Sequence, residues 1–135
     1  MKVHFFLDSS EDSFEAFRMQ CENLAETWDV SHKIILEIIL IIEELYTNFF
    51  KYCSTEFANS IEVSLERAGP DLLIVYKDNG PVFNPLQVES PDIRRPFEER
   101  QAGGLGIHLV RHFVDSYTYA RKDEKNILRF TKTIK

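Results

Sequence analysis

Three short polar motifs follow one another along the sequence, and the residue types in each suit the handling of a nucleotide. Glu44 and Asn48 are four residues apart, so on a helix they would project from the same face, about one turn from each other. An acidic turn at residues 78–80 follows an apolar strand pattern. A glycine cluster at residues 103–106 runs directly into a helical pattern, where bare backbone N–H groups can meet phosphate. Together the three motifs predict an ATP site.

The first motif also has an ordinary reading, as polar residues on the exposed edge of an amphipathic helix. Asn is a poor helix former, however, and an unpaired carboxamide in so apolar a helix is costly. A hydrated Mg²⁺ ion suits Asn48, because magnesium prefers oxygen ligands and keeps several of its waters. Glu44 could then accept a proton from an attacking hydroxyl or water. Glu43 lies roughly 100° around the helix and is interpreted as a solvated neighbour.

The other motifs are weaker when taken singly. Asp-Asn-Gly-Pro at residues 78–81 is by default a β-turn, although a carboxylate at a strand end can also accept from an exocyclic amine. The glycine cluster lacks the Lys-Ser or Lys-Thr of a P-loop, and Leu109 stands where a dinucleotide fingerprint would have glycine. His108 and His112 lack the glutamate of a zinc protease and are read as ordinary helix residues. Arginines in the preceding loop are either solvated or in contact with an anion: Arg94, Arg95 and Arg100.

The composition predicts one globular domain. The 135 residues, 44% of them hydrophobic, can bury a core without disulfides, and Cys21 and Cys53 lack metal or redox spacing. A formal charge of -6 argues against direct binding to nucleic acid. The N-terminus does not resemble a secretory signal, and glutamates interrupt the most apolar helix, so we expect a cytoplasmic protein without a membrane span.

Hydrophobic periodicity predicts the element order βααββαββ. The fold class that follows is α+β, a two-layer sandwich in which about three helices cover one mostly antiparallel sheet. The predicted elements are a strand over 3–7, helices over about 10–28 and 31–53, a hairpin over 61–76 with Asp78 just past its second strand, a helix over 104–115, and strands over 117–121 and 126–134.

This combination resembles the Bergerat, or GHKL, ATP-binding fold, and more narrowly the anti-sigma-factor serine/threonine kinases. The resemblance covers nearly the whole chain, including the closing segment 126–132, although Lys125 replaces the glycine often found before that segment. It implies that Glu44 is the general base, that Asn48 helps to hold Mg²⁺ and that Asp78 contacts the adenine amine. It implies nucleotide contacts at further positions: Gly80, Phe83, Gly103, Gly104, Leu105, Gly106 and Asn126. Residues 82–102 would form the ATP lid of a single domain spanning 1–135, and Tyr52 stands where many relatives have histidine.

The function implied by this resemblance is that of a regulatory kinase that binds Mg·ATP. It would phosphorylate a small anti-anti-sigma (STAS-like) protein and sequester a sigma factor or a similar partner. Two alternatives stay open at this point: a nucleotide-gated binding module without phosphotransfer, and a stand-alone ATPase domain like that of a histidine kinase. The resemblance also implies a possible homodimer, because relatives often dimerise through the sheet surface and helix edges, and the surface pattern does not decide it.

Overall fold

A computed structural model of the chain describes residues 1–52, 60–82 and 112–134. Within these ranges the helices and strands follow the predicted order. They are β1 (Lys2–Leu7), α1 (Glu11–Thr27), α2 (His32–Tyr52), β2 (Ile61–Ala68), β3 (Asp71–Asp78), β4 (Ser116–Lys122) and β5 (Lys125–Thr133). The predicted helix over 104–115 lies outside the described residues except for its end, where His112 and Phe113 have helical backbone.

The five strands form one sheet in the order β1-β2-β3-β5-β4, and every described pair is antiparallel. Helices α1 and α2 pack on one face of this sheet, which confirms the α+β two-layer architecture. Because successive side chains of a strand alternate between faces, Val63, Ile74, Tyr76 and Leu128 all lie on the helix-covered face and are buried there. The opposite face carries mostly polar residues and has no described element over it.

The two helices begin where the sequence predicts. The Ser10 side chain accepts a hydrogen bond from the Asp12 backbone N–H at 3.1 Å, and the Ser31 side chain accepts one from the Ile34 N–H at 3.3 Å. Both are N-cap bonds that satisfy donors which the first turn of a helix leaves unpaired. Helix α2 is apolar on most sides because it lies between the sheet and α1, and Ile35, Ile38 and Ile42 are almost completely buried.

A two-residue turn joins β4 to β5. Asp123 and Glu124 both have positive φ, at 53° and 62°, as a type I′ hairpin turn requires. This turn fixes the register of the hairpin and sets Arg121 opposite Asn126. Among the helices of the described residues, none is both long enough and apolar enough to cross a membrane.

Candidate functional site

Helix α2 carries Glu44 and Asn48 along the border between the core and the surface. Leu45 and Phe49 are buried, whereas Glu44 and Asn48, one position earlier on the helix, are half-buried. The Asn48 amide Nδ2 donates to Glu44 Oε1 at 3.2 Å, so the predicted one-turn spacing brings the two side chains together. A carboxylate can only accept, so this bond fixes the amide orientation and leaves Asn48 Oδ1 on the other side of the group.

Two tyrosines hold this part of α2 against the rest of the fold. The Tyr46 hydroxyl donates to the Asp8 backbone carbonyl at 2.6 Å, which ties the helix to the end of β1. Burial of the hydroxyl, together with the nearby Asp8 and Glu11 carboxylates, raises the pKa of Tyr46, so the phenol stays a donor. From the sheet, the Tyr76 hydroxyl contacts the Leu45 carbonyl at 3.4 Å. The backbone of α2 immediately after Glu44 therefore has a fixed position above β3.

The sequence pattern predicts that Asp78 lies just past β3. In the structure Asp78 is instead the last residue of the strand. The strand is longer than its apolar run because Asp78 pairs with Ile61 on one side and with Asn126 on the other. Asp78 Oδ1 accepts from the Gly80 backbone N–H at 3.0 Å, a local bond that starts the predicted turn. Asn79 closes the same end of the hairpin, because its Oδ1 accepts from the Ser60 N–H at 2.9 Å.

Asn126 lies opposite Asp78 and is one of the few polar residues in the described core, with only 4% of its surface exposed. Its amide Nδ2 donates to Asp78 Oδ1 and to the Pro81 carbonyl, both at 2.9 Å. Its Oδ1 accepts from the Tyr119 hydroxyl at 2.6 Å. A buried carboxamide with so many partners holds its neighbours rigidly, and the neighbour of interest is the Asp78 carboxylate.

Two residues of β4 complete this cluster, and neither belongs to a predicted motif. Tyr119 orients Asn126 through the bond just given. The Arg121 Nη1 donates to the Gly80 carbonyl at 2.7 Å. Strand alternation puts residues 119 and 121 on the same face as Asn126 once the two-residue turn sets the register. Strand alternation and this turn are the features of the sequence that could have indicated the two residues.

The two groups of polar residues face the same space between the layers. Tyr76 and Asp78 are two residues apart on β3 and therefore lie on the same, helix-covered face of the sheet. Since the Tyr76 hydroxyl contacts α2 at the residue after Glu44, the Asp78 cluster and the Glu44–Asn48 pair lie at the same end of that layer. The arrangement provides a carboxylate acceptor at the sheet and a carboxylate base with an amide oxygen at the helix.

The donor set is compatible with magnesium. Asn48 presents an oxygen, the ligand type that Mg²⁺ prefers, and one or two protein oxygens are enough when phosphates and waters supply the rest. Several other predicted positions lie outside the described residues: Phe83, Gly103, Gly104, Leu105, Gly106 and the three loop arginines. Of the predicted lid, only Val82 is described, and it is 71% exposed.

Comparison with known proteins identifies the family. The chain matches the histidine kinase-like ATPase domain over residues 7–132. It therefore belongs to the histidine kinase-like ATPase domain family, which is of the GHKL type, and ATP binding goes with that membership. The resemblance inferred from the three motifs is thus confirmed at the level of the family.

The chain is also similar to individual proteins in sequence or in fold. The chain is 28% identical over 109 residues to the serine/threonine-protein kinase BtrW of Bordetella bronchiseptica, covering 80% of this chain and 75% of that protein. Its fold is similar to the RsbU and RsbW domains of Rv1364c from Mycobacterium tuberculosis, with a TM-score of 0.67, 16% identity and 99% of this chain covered. This chain spans about a third (32%) of that structure. The catalytic domain of the histidine kinase ThkA is also similar, with a TM-score of 0.54, 13% identity, and coverage of 99% and 97% of the two chains.

Proposed function

We propose that this protein is a regulatory serine/threonine kinase of the anti-sigma-factor type, which transfers the γ-phosphoryl group of ATP to a small anti-anti-sigma (STAS-like) protein. The observation that carries the proposal is the Glu44–Asn48 pair, a carboxylate and a carboxamide hydrogen-bonded to each other on α2 of a GHKL-type fold. The similarity to a protein named a serine/threonine kinase supports a serine or threonine hydroxyl as the acceptor. A sigma factor or similar protein would be the partner sequestered by the kinase.

The adenine base is bound at the end of β3. The Asp78 carboxylate accepts two hydrogen bonds, from the Gly80 N–H and from the Asn126 amide, and both go to Oδ1. Oδ2 is then the oxygen that accepts from the exocyclic amine of adenine. Asn126 and Tyr119 hold the carboxylate in place, and the phosphates extend from the base toward α2.

Phosphoryl transfer depends on positioning and charge stabilisation more than on covalent chemistry. Bound beside Asn48 Oδ1, Mg²⁺ would offset the phosphate charge. Glu44 accepts the proton of the incoming serine or threonine hydroxyl as that oxygen attacks the γ-phosphorus and ADP leaves. The bond from Asn48 keeps the Glu44 carboxylate in one rotamer, and the bonds of Tyr46 and Tyr76 fix the backbone of the helix that carries it. Residues 82–102 act as the lid over this site within a single domain.

Phosphorylation would change partner choice at the surface of the substrate. A phosphate adds roughly -1.5 to -2 charge at neutral pH, which disfavours a contact surface shaped for a neutral serine. The kinase would then release the phosphorylated protein and be able to sequester its other partner.

Glu44→Gln is the sharpest test of this function. Glutamine can still accept the Asn48 bond through its carbonyl oxygen, but it cannot take up a proton, so ATP binding should be retained while transfer falls by about 10²- to 10⁴-fold. The assay would follow transfer of labelled γ-phosphate to anti-anti-sigma proteins encoded beside this one. Glu43→Gln is the matched control, since Glu43 is exposed and should change neither quantity. ATP binding without transfer by the wild type to any such protein would contradict the proposal and favour a nucleotide-gated binding module.

A further inference from the structure

The sheet face turned away from the helices contains a polar groove of about 210 Å³. His4, Ser64, Val75 and Arg129 form one row across four neighbouring strands, because each pairs with the next in the register. The short side chains of Ser64 and Val75 lie in the middle of this row. Longer side chains on all sides make the depression.

The groove is positively charged although the chain as a whole carries a formal charge of -6. Lys2, Lys77 and Arg129 all line it, and within the described part of the chain none of the three has a carboxylate within ion-pair distance. Glu62 is the acidic residue among the lining side chains, and it is already engaged by Lys125 at 3.4 Å and by His4 at 3.5 Å. Three cations are thus left to attract an anion from outside.

We propose that this groove is a docking site for an acidic segment of a protein partner, separate from the nucleotide site. A nucleic acid fits less well, because the net negative charge of the chain would repel an extended polyanion outside the groove. Phe6 favours a protein as the ligand of the groove. Its side chain is 71% exposed, and its ring centroid lies 4.7 Å from that of His4, which lines the groove. Aromatic residues and arginine are enriched in protein–protein interfaces relative to the rest of the surface.

The geometry makes this site independent of nucleotide. Lys77 and Asp78 are consecutive on β3, so their side chains lie on opposite faces of the sheet. The candidate ATP site is on the helix-covered face, and the groove is on the other. An acidic ligand in the groove and ATP in its own site should therefore bind together without competing.

The test uses the full chain and a fluorescein-labelled peptide of glutamate with interspersed leucine, with binding followed by anisotropy. We expect binding that weakens as salt is raised, since charges exposed to solvent are screened within about 10 Å at about 0.1 M and about 3 Å at about 1 M ionic strength. Arg129→Glu should weaken the peptide about tenfold, because the change replaces an attraction with a repulsion. Lys33→Glu is the matched control, as it makes the same charge change at an exposed position on α2 and should leave the affinity unchanged. Lys2→Glu provides a second variant of the groove, and thermal melting confirms that each variant is folded.

Three outcomes would overturn the proposal. Equal losses in Arg129→Glu and Lys33→Glu would mean that the peptide responds only to net charge. Displacement of the peptide by saturating Mg·ATP would place it in the nucleotide site. A dimer in sedimentation that Arg129→Glu dissociates would mean that a second copy of this chain occupies the face. ATP binding is measured separately in the same samples, so failure of the kinase proposal would be seen independently of the peptide result.

Discussion

The Asn126 amide donates to Oδ1 of the Asp78 carboxylate at 2.9 Å, across the β3–β5 pair. This contact makes the carboxylate a fixed acceptor rather than a solvated side chain at a strand end. It also links the candidate nucleotide site to β4, through the Tyr119 hydroxyl bond to Asn126.

Asn126→Leu should weaken ATP binding about tenfold and lower the free energy of unfolding by about 1–3 kcal/mol, because buried partners of the amide lose their bonds. Tyr119→Phe is the milder companion variant, since it removes one hydroxyl and should cost about 1 kcal/mol. Calorimetric titration with ATP and urea unfolding measure the two effects. Wild-type ATP affinity in folded Asn126→Leu would show that Asn126 does not orient Asp78 for the nucleotide.

Inosine triphosphate tests the role of Asp78 more directly, because it has a carbonyl in place of the adenine amine. We expect it to bind at least about 100-fold more weakly than ATP to the wild type, as sites built to hydrogen-bond a group reject analogues that lack it. In Asp78→Asn, the remaining carbonyl oxygen can accept the bonds from Gly80 and Asn126 while the new amide donates to the inosine carbonyl. The preference for ATP should therefore shrink or reverse, and an unchanged preference would remove Asp78 from base recognition.

Glu37 on α2 and Lys132 on β5 form a buried ion pair, with the Lys132 Nζ 2.7 Å from Glu37 Oε2 and also bonded to the Phe113 carbonyl. Lys132→Met should destabilise the fold by about 3–5 kcal/mol, because it leaves a buried carboxylate without its cation. The double variant Glu37→Leu with Lys132→Met should recover much of that loss, since an apolar pair of similar volume often replaces a buried ion pair without penalty. Urea unfolding of the three proteins gives the comparison, and a double variant no more stable than Lys132→Met would contradict it.

Cys21 should be unreactive in the native protein. It is fully buried, and burial, with a smaller effect of Glu22, raises the pKa of the Cys21 thiol to about 12. In a Cys53→Ser background, a thiol reagent at neutral pH should label Cys21 only after denaturant is added. Rapid labelling of the native chain would contradict the burial of this residue.

The same raised pKa sets a pH dependence. The folded state holds the thiol proton more tightly than the unfolded state, so the stabilisation is fully present below the ordinary pKa of about 9 and is lost as the pH rises toward 12. The free energy of unfolding should therefore fall over that interval by up to about 1.4 kcal/mol per pH unit. Cys21→Ala should lack this contribution in denaturant titrations at each pH, whatever its stability at neutral pH.

Much of the fold could be predicted from the sequence. The apolar alternation of β2 and β3 and the strongly apolar character of α2 both depend on local spacing, and the structure follows them. The Glu44–Asn48 contact was likewise predictable, because one helical turn separates the two residues whatever the rest of the chain does.

The rest depends on pairing between distant segments. The fall in hydropathy at Lys77 predicts that β3 ends before Asp78, but the pairing of Asp78 with Ile61 and Asn126 extends the strand through it. Tyr119 and Arg121 gave no signal of their own, since their roles arise from the register with β5. The positive groove could not be predicted for the same reason, because its cations come from three different strands.

The central claim is that this chain binds Mg·ATP in a pocket built on Asp78 and Glu44, and calorimetry tests it most directly. ATP would be titrated into the wild type, Asp78→Ala and Glu44→Ala, each with and without Mg²⁺. The account predicts Mg²⁺-dependent binding by the wild type and Glu44→Ala, and none by folded Asp78→Ala. A wild type that binds no nucleotide, or an Asp78→Ala variant that binds as well as the wild type, would contradict it.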